Sequence, residues 1–182
     1  GPGGGKVFYV ATTTFTQIGA TGTMCTNNCK YLEAAPTNWL AGTTGDPART
    51  WATNVNNNQM TSVTSATRVA IGSGYQNSLD IVAQAGNVAA SSAAVLAREY
   101  RGGTKTDWFL PAVQELDQLF AQRALVGGFC DATFTACNAV IPEGSDRTRA
   151  TGSYPHKNPP RAPVNGDVSA GVYWSSSQVD GQ

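Results

Sequence analysis

Residues 107–116 read DWFLPAVQEL, and this stretch decides how the chain is built. A short apolar run, Trp108-Phe109-Leu110, ends at Pro111. Proline lacks an N–H that the first turn of a helix would leave unpaired anyway, and its fixed φ suits the first helical position. Beyond it Val113, Leu116, Leu119, Phe120 and Ala124 recur at helical spacing, while Glu115, Gln118 and Gln122 face away. The spacing predicts a helix over 111–124, closed by Gly127-Gly128. Trp108, Leu110, Leu116 and Phe120 become core candidates, together with Phe8 and Trp174.

Upstream, a second helical segment opens at Ser91 or Ser92 and runs to Tyr100, with Ala93, Leu96, Ala97 and Tyr100 on one face; Arg101-Gly102-Gly103 ends it. A shorter piece starts near Leu79, capped by Asn77 or Ser78. Residues 6–11 (KVFYVA) and 30–35 (KYLEAA, stopped by Pro36) are expected strands, as are residues 171–177 (GVYWSSS). Two stretches lack any period. Residues 36–76 are rich in Gly, Thr, Asn and Trp, with Trp39 and Trp51 as packing pins. Residues 129–170 hold five prolines and a cysteine pair. Long irregular segments inside one domain are commonly functional.

The chain has 182 residues, the size of one domain. Charged residues make up 13%, about half the usual share, and 12 basic residues balance 12 acidic ones. A phosphate-tracking surface shows as a basic excess, so nucleic acid is not an expected partner. No apolar run reaches the roughly 18 residues of a membrane helix, so no membrane insertion is expected. The first residue is Gly1 rather than Met and the sequence itself shows no signal-peptide pattern, so a mature product or a piece of a longer chain is expected. With lysine at only Lys6, Lys30, Lys105 and Lys157, solubility rests on Thr, Ser, Asn, Gln and Gly, a profile common in secreted and cell-surface proteins.

Four cysteines fall in two local pairs, MCTNNCK around Cys25 and Cys29, and FCDATFTAC around Cys130 and Cys137. Local disulfides 25–29 and 130–137 are the preferred pairing, each closing a small polar loop and implying an oxidising compartment. Free buried thiols and a four-cysteine zinc site are the alternatives, although zinc ribbons favour C-x2-C twice.

Reactive constellations are sparse. His156, the one histidine, stands among prolines, poorly held for a base beside a nucleophile. Glu33, Asp107, Glu115 and Asp117 are buriable carboxylates, with nothing to set a catalytic distance; Glu115 falls early in its helix, where a carboxylate suits the dipole. No EF-hand or phosphate loop is present, and no metal or cofactor is expected. From Asp146 to Arg161 four basic residues, Arg147, Arg149, Lys157 and Arg161, face one acid, with Tyr154 interleaved. These five are candidate ligand-binding residues for a sulfated or carboxylated glycan, matched by arginine's planar fork. Residues 36–76, with Trp39, Trp51 and the 54–58 Asn run, are the alternative surface.

GPGGGKVFYV at 1–10, CKYLEAAP at 29–36, AIGSGYQNS to DIVAQAGNVA at 70–89, DWFLPAVQEL and YWSSS at 173–177 occur in an order that resembles the family named for the C-terminal domain of a Legionella collagen-like adhesin. The resemblance implies an α+β, C-type-lectin-like fold: two helices beside twisted antiparallel strands, with long loops carrying function. The WFLPAVQEL phrase also looks like a segment of formylglycine-generating enzymes and of retroelement-diversified receptors, but a shared fold does not transfer activity. The calcium-holding tripeptides of C-type lectins are absent from the sequence. Unlike the family, this chain inserts about 40 residues, the 129–170 excursion, before the YWSSS strand. Its sequence stops before the strands that finish the sheet in the family, so either a longer chain or a neighbouring subunit's strand is expected to complete a single domain over 1–182.

The expectation is an extracellular, non-enzymatic recognition or adhesion module for a glycan or cell-surface protein, forming homo-oligomers or polymers. A structural subunit of an extracellular filament or sheath is the alternative, and an enzyme related to formylglycine generation a third reading.

Overall fold

The computed structural model describes residues 1–20, 25–36, 39–40, 65–84, 92–122 and 125. These form a small α+β layout of a two-stranded antiparallel sheet and three α-helices: β1 (Lys6–Phe15), β2 (Cys29–Ala34), α1 (Gly74–Ala83), α2 (Ala93–Glu99) and α3 (Val113–Ala121). A 3-10 turn, Gly102–Thr104, follows α2. The strand expected at 171–177, the 129–170 excursion and Phe120's side chain lie outside the described residues.

The strands pair as Lys6 with Ala34, Val7 with Glu33, Tyr9 with Leu32, Val10 with Tyr31 and Phe15 with Cys29. Register shifts after Val7 and after Val10 give β1 more residues than its partner, so the longer strand bends. Lys6 to Ala11 is strand as expected, and the strand runs four residues further.

Ser92 caps α2, its hydroxyl accepting from the Val95 N–H at 3.4 Å. α1 starts at Gly74 rather than near Leu79. Asn77 and Ser78, read as caps, are fully buried inside the helix because their polar groups serve neighbouring chain. Asn77 Nδ2 donates to the Arg68 carbonyl at 2.6 Å, and Ser78 Oγ accepts the Leu110 N–H at 3.0 Å while facing the Leu110 carbonyl at 3.2 Å. Such a hydroxyl pairs with an extended segment as a strand neighbour would. α3 likewise starts two residues after Pro111, not at it. The Ala112 carbonyl accepts the first helical bond, from the Leu116 N–H at 2.8 Å, which makes Ala112 the cap.

The apolar centre is made of small pieces. Ala66, Ile81 and Ala94 pack together fully buried, with Val82 and Leu110 against them. Phe8, Trp108, Leu110 and Leu116, expected in the core, are only half-buried. The tightest space is instead occupied by alanines and by polar groups, Ser73, Asn77, Ser78, Ser92 and Glu115. Trp174, the other core candidate, lies outside the described residues.

Candidate ligand pocket

Two polar clasps tie the helices together, one at the starts of α1 and α3 and one at the C-terminal end of α2. The first is Glu115. It is fully buried, its Oε1 accepting the Gly72 N–H at 2.8 Å and its Oε2 the Ala112 N–H at 2.7 Å. The Ala112 bond is the backward half of a capping box. The Gly72 bond ties the start of α3 to the turn that launches α1. Burial pushes the Glu115 carboxyl up to about 7, against the opposing pull of the Ala112, Gly72 and Gly74 N–H groups. Two glycines make room. Gly72 has φ +88° and its carbonyl accepts the Ile18 N–H at 2.7 Å, while a Cβ on Gly74 would strike the Glu115 carboxylate, with Ala112 N and the Phe109 ring both 2.7 Å away.

The second clasp is Arg98 on α2. Its Nη1 donates to the carbonyls of Thr106 at 3.0 Å and Trp108 at 2.6 Å, and its Nη2 to the Tyr75 hydroxyl at 2.9 Å. The guanidinium carbon lies 4.1 Å from the centre of the Tyr75 ring, a cation–π stack between α2 and α1. Burial lowers its pKa most, with Tyr75 and Asp107 working the other way.

Beside the Arg98 clasp, three rings line up. Trp39 meets Tyr100 edge-on with centroids 5.0 Å apart, and Tyr100 meets Trp108 at 4.9 Å. Trp108 is fixed by its indole N–H, which donates to the Gly102 carbonyl at 3.1 Å. Partial burial, and then the Glu33 carboxylate, push the Tyr100 phenol up. Beside the rings opens a pocket of about 230 Å³ lined by Trp39, Leu40, Leu96, Glu99, Tyr100 and Arg101. Glu99 and Arg101 are exposed, and Arg101 Nη1 donates to the carbonyls of Arg98 and Tyr100, both at 2.7 Å.

Of the carboxylates considered for catalysis, Glu33 accepts the N–H groups of Gly3 at 3.0 Å and Gly5 at 2.5 Å, and Glu115 those described above. Both bind backbone. Among the described residues no group of three or more His, Cys, Asp or Glu side chains could hold a metal ion, and no helix is long and apolar enough to cross a membrane. Cys25 and Cys29 form a disulfide, with Cα atoms 5.2 Å apart. Cys130 and Cys137 lie outside the described residues, as do the candidate binding residues Arg147, Arg149, Tyr154, Lys157 and Arg161, and also His156 and Trp51.

The sequence marked Trp39 as a pin and as part of an alternative surface and placed Tyr100 on one face of a helix, but gave no functional reading to Tyr100, Glu99 or Arg101. The one available signal was an aromatic at the end of a helix followed by Arg-Gly-Gly. Compared with known protein families, curated proteins and solved structures, the chain matches none.

Proposed function

We infer that this chain is an extracellular, non-enzymatic recognition module with a C-type-lectin-like fold, binding a glycan or a cell-surface protein through loops. The observation that carries the reading is the aromatic pocket at Trp39 and Tyr100, set where Trp39 and Leu40 meet the end of α2. A rigid scaffold presenting loop residues is the common arrangement for recognition. The local Cys25–Cys29 disulfide and a surface solubilised by uncharged polar residues agree with an extracellular setting. The backbone-bound roles of Glu33 and Glu115 favour structure over catalysis at these two carboxylates. The basic residues Arg147, Arg149, Lys157 and Arg161, with Tyr154, belong to the same reading as a second contact surface.

Binding of the labelled chain to a glycan array and to intact cells tests this. Retention on either, reduced by Trp39→Ala or by deleting residues 145–165, supports recognition. A chain retained by neither overturns it.

One observation favours the second reading, a subunit of an extracellular assembly. Val10 and Tyr31 stand directly opposite each other on the sheet and are 64% and 42% exposed. An exposed apolar cross-strand pair is suited to contact with another copy. Light scattering distinguishes the two: concentration-dependent polymers abolished by Val10→Lys favour the assembly.

A further inference from the structure

The pocket beside α2 joins three features that bear on its ligand. Its walls combine aromatic rings, Trp39 and Tyr100, with aliphatic side chains, Leu40 and Leu96. Its rim carries one acid, Glu99, and one base, Arg101, so the two charges cancel. Its volume, about 230 Å³, lies below the roughly 300–1,000 Å³ of sites for drug-sized molecules.

Each feature narrows the occupant. An aromatic face is electron-rich and attracts the slightly positive C–H groups of a saturated ring. A carboxylate accepts O–H bonds that are shorter and stronger than neutral ones, and a guanidinium donates in a fixed fork. A rim with no net charge gives little preference to phosphate, sulfate or carboxylate. The size admits one ring rather than a chain of them. A compact ring with one apolar face and a rim of hydroxyls satisfies all of these conditions.

We propose that the Trp39–Tyr100 pocket binds a single uncharged pyranose, such as the terminal hexose of a glycan, with its C–H face against the aromatic wall and adjacent hydroxyls between Glu99 and Arg101. Arg101 is partly committed already: its Nη1 holds the carbonyls of Arg98 and Tyr100, which fixes the guanidinium plane beside the pocket. Glu99 is the last residue of α2 and Arg101 follows two residues later, so both rim groups ride on the element that Arg98 anchors. The proposal rests on the recognition reading and specifies its ligand at this one place.

The test is NMR titration of the full chain with the methyl glycosides of glucose, galactose and mannose, with methyl glucuronide and adenosine as comparison probes. The expected result is saturable movement of the Trp39 indole signal by at least one neutral glycoside, with a dissociation constant on the order of 1 mM, as weak single-ring contacts give. Trp39→Ala should weaken this at least tenfold. Glu99→Gln, a surface change that leaves the fold intact, should weaken it about fivefold, and Trp39→Phe should restore part of the loss. Preference for glucuronide or adenosine over every neutral glycoside overturns the proposal, as does equal binding by wild type and Glu99→Gln. A chain retained by cells yet silent toward all the glycosides also overturns it, and leaves the recognition reading standing.

Discussion

The Glu115 clasp and the Trp39–Tyr100 pocket treat polar groups in opposite ways. At Glu115 a carboxylate is removed from water and its oxygens are filled by the backbone N–H groups of two helix-starting turns. At the pocket an acid and a base remain in solvent beside aromatic faces. The first arrangement is costly to disturb because each partner left behind is a buried, unpaired donor. The second is cheap to disturb because water replaces what is lost. Stability and binding are therefore expected to separate by place.

The largest expected effect is Glu115→Ala. It strands the N–H groups of Gly72 and Ala112 and opens a void, a loss of about 2–6 kcal/mol in denaturant unfolding, at about 1–3 kcal/mol for each buried donor left unpaired. A loss under about 1 kcal/mol would mean that water satisfies the two turns and that the clasp is ornamental.

Next is the pH dependence of stability. The Glu115 carboxyl is ordinarily near 4.5 and is pushed up to about 7 by burial. Between those values the folded chain holds a proton that the unfolded chain has released. Stability is therefore full below about 4.5 and falls as pH rises to about 7, with no further change from this group above that. The drop is up to about 3 kcal/mol at roughly 1.4 kcal/mol per pH unit. Unfolding curves across this range, with Glu115→Gln as the variant lacking the slope, measure it. A slope of opposite sign would show that the backbone N–H groups outweigh burial.

Gly74→Ala probes the same clasp from its other side. A Cβ there meets the Glu115 carboxylate, Ala112 N and the Phe109 ring, and overpacking of this kind costs about 1–3 kcal/mol. Unfolding of the variant by urea would show it. Reducing the Cys25–Cys29 bridge comes below that, at about 2 kcal/mol or less, because the closed loop is short. Intact mass before and after reduction, with urea melts of both forms, checks the bridge and its effect together.

Local rules accounted for the parts of the fold that local rules govern. Ser92 and the apolar spacing of 93–100 yielded α2, and the VFYV and YLEA runs yielded paired strands. Where the sequence misled, long-range hydrogen bonds had outbid local ones. Asn77 and Ser78 have the side chains of caps, but they bond to Arg68 and Leu110, which no nearest-neighbour rule can see. Glu115 looked like a residue favoured by the helix dipole; its bond to Ala112 was hidden because alanine at the cap carries no capping-box signature, and its bond to Gly72 because that residue is 43 positions away. The pocket was least legible. Trp39 and Tyr100 come from separate segments, and the helical spacing that placed Tyr100 on an apolar face could not show that this face ends at a solvent opening.

The smallest expected effect on stability separates the two regions most sharply. Glu99 is the last residue of α2, where unpaired carbonyls leave a partial negative charge. Its carboxylate is therefore mildly repelled by its own helix. Glu99→Gln should stabilise the fold by a few tenths of a kcal/mol, within the range of surface changes. Arg101 has the opposite relation: its guanidinium donates to the carbonyls of Arg98 and Tyr100, so Arg101→Ala should destabilise by about 0.3–1 kcal/mol. An acid placed where it slightly weakens the fold is open to a binding role at little cost to folding. Thermal melts of both variants, compared with glycoside binding, would show Glu99→Gln gaining stability while losing affinity. Parallel loss of both would make Glu99 a structural residue and leave the pocket without its acceptor.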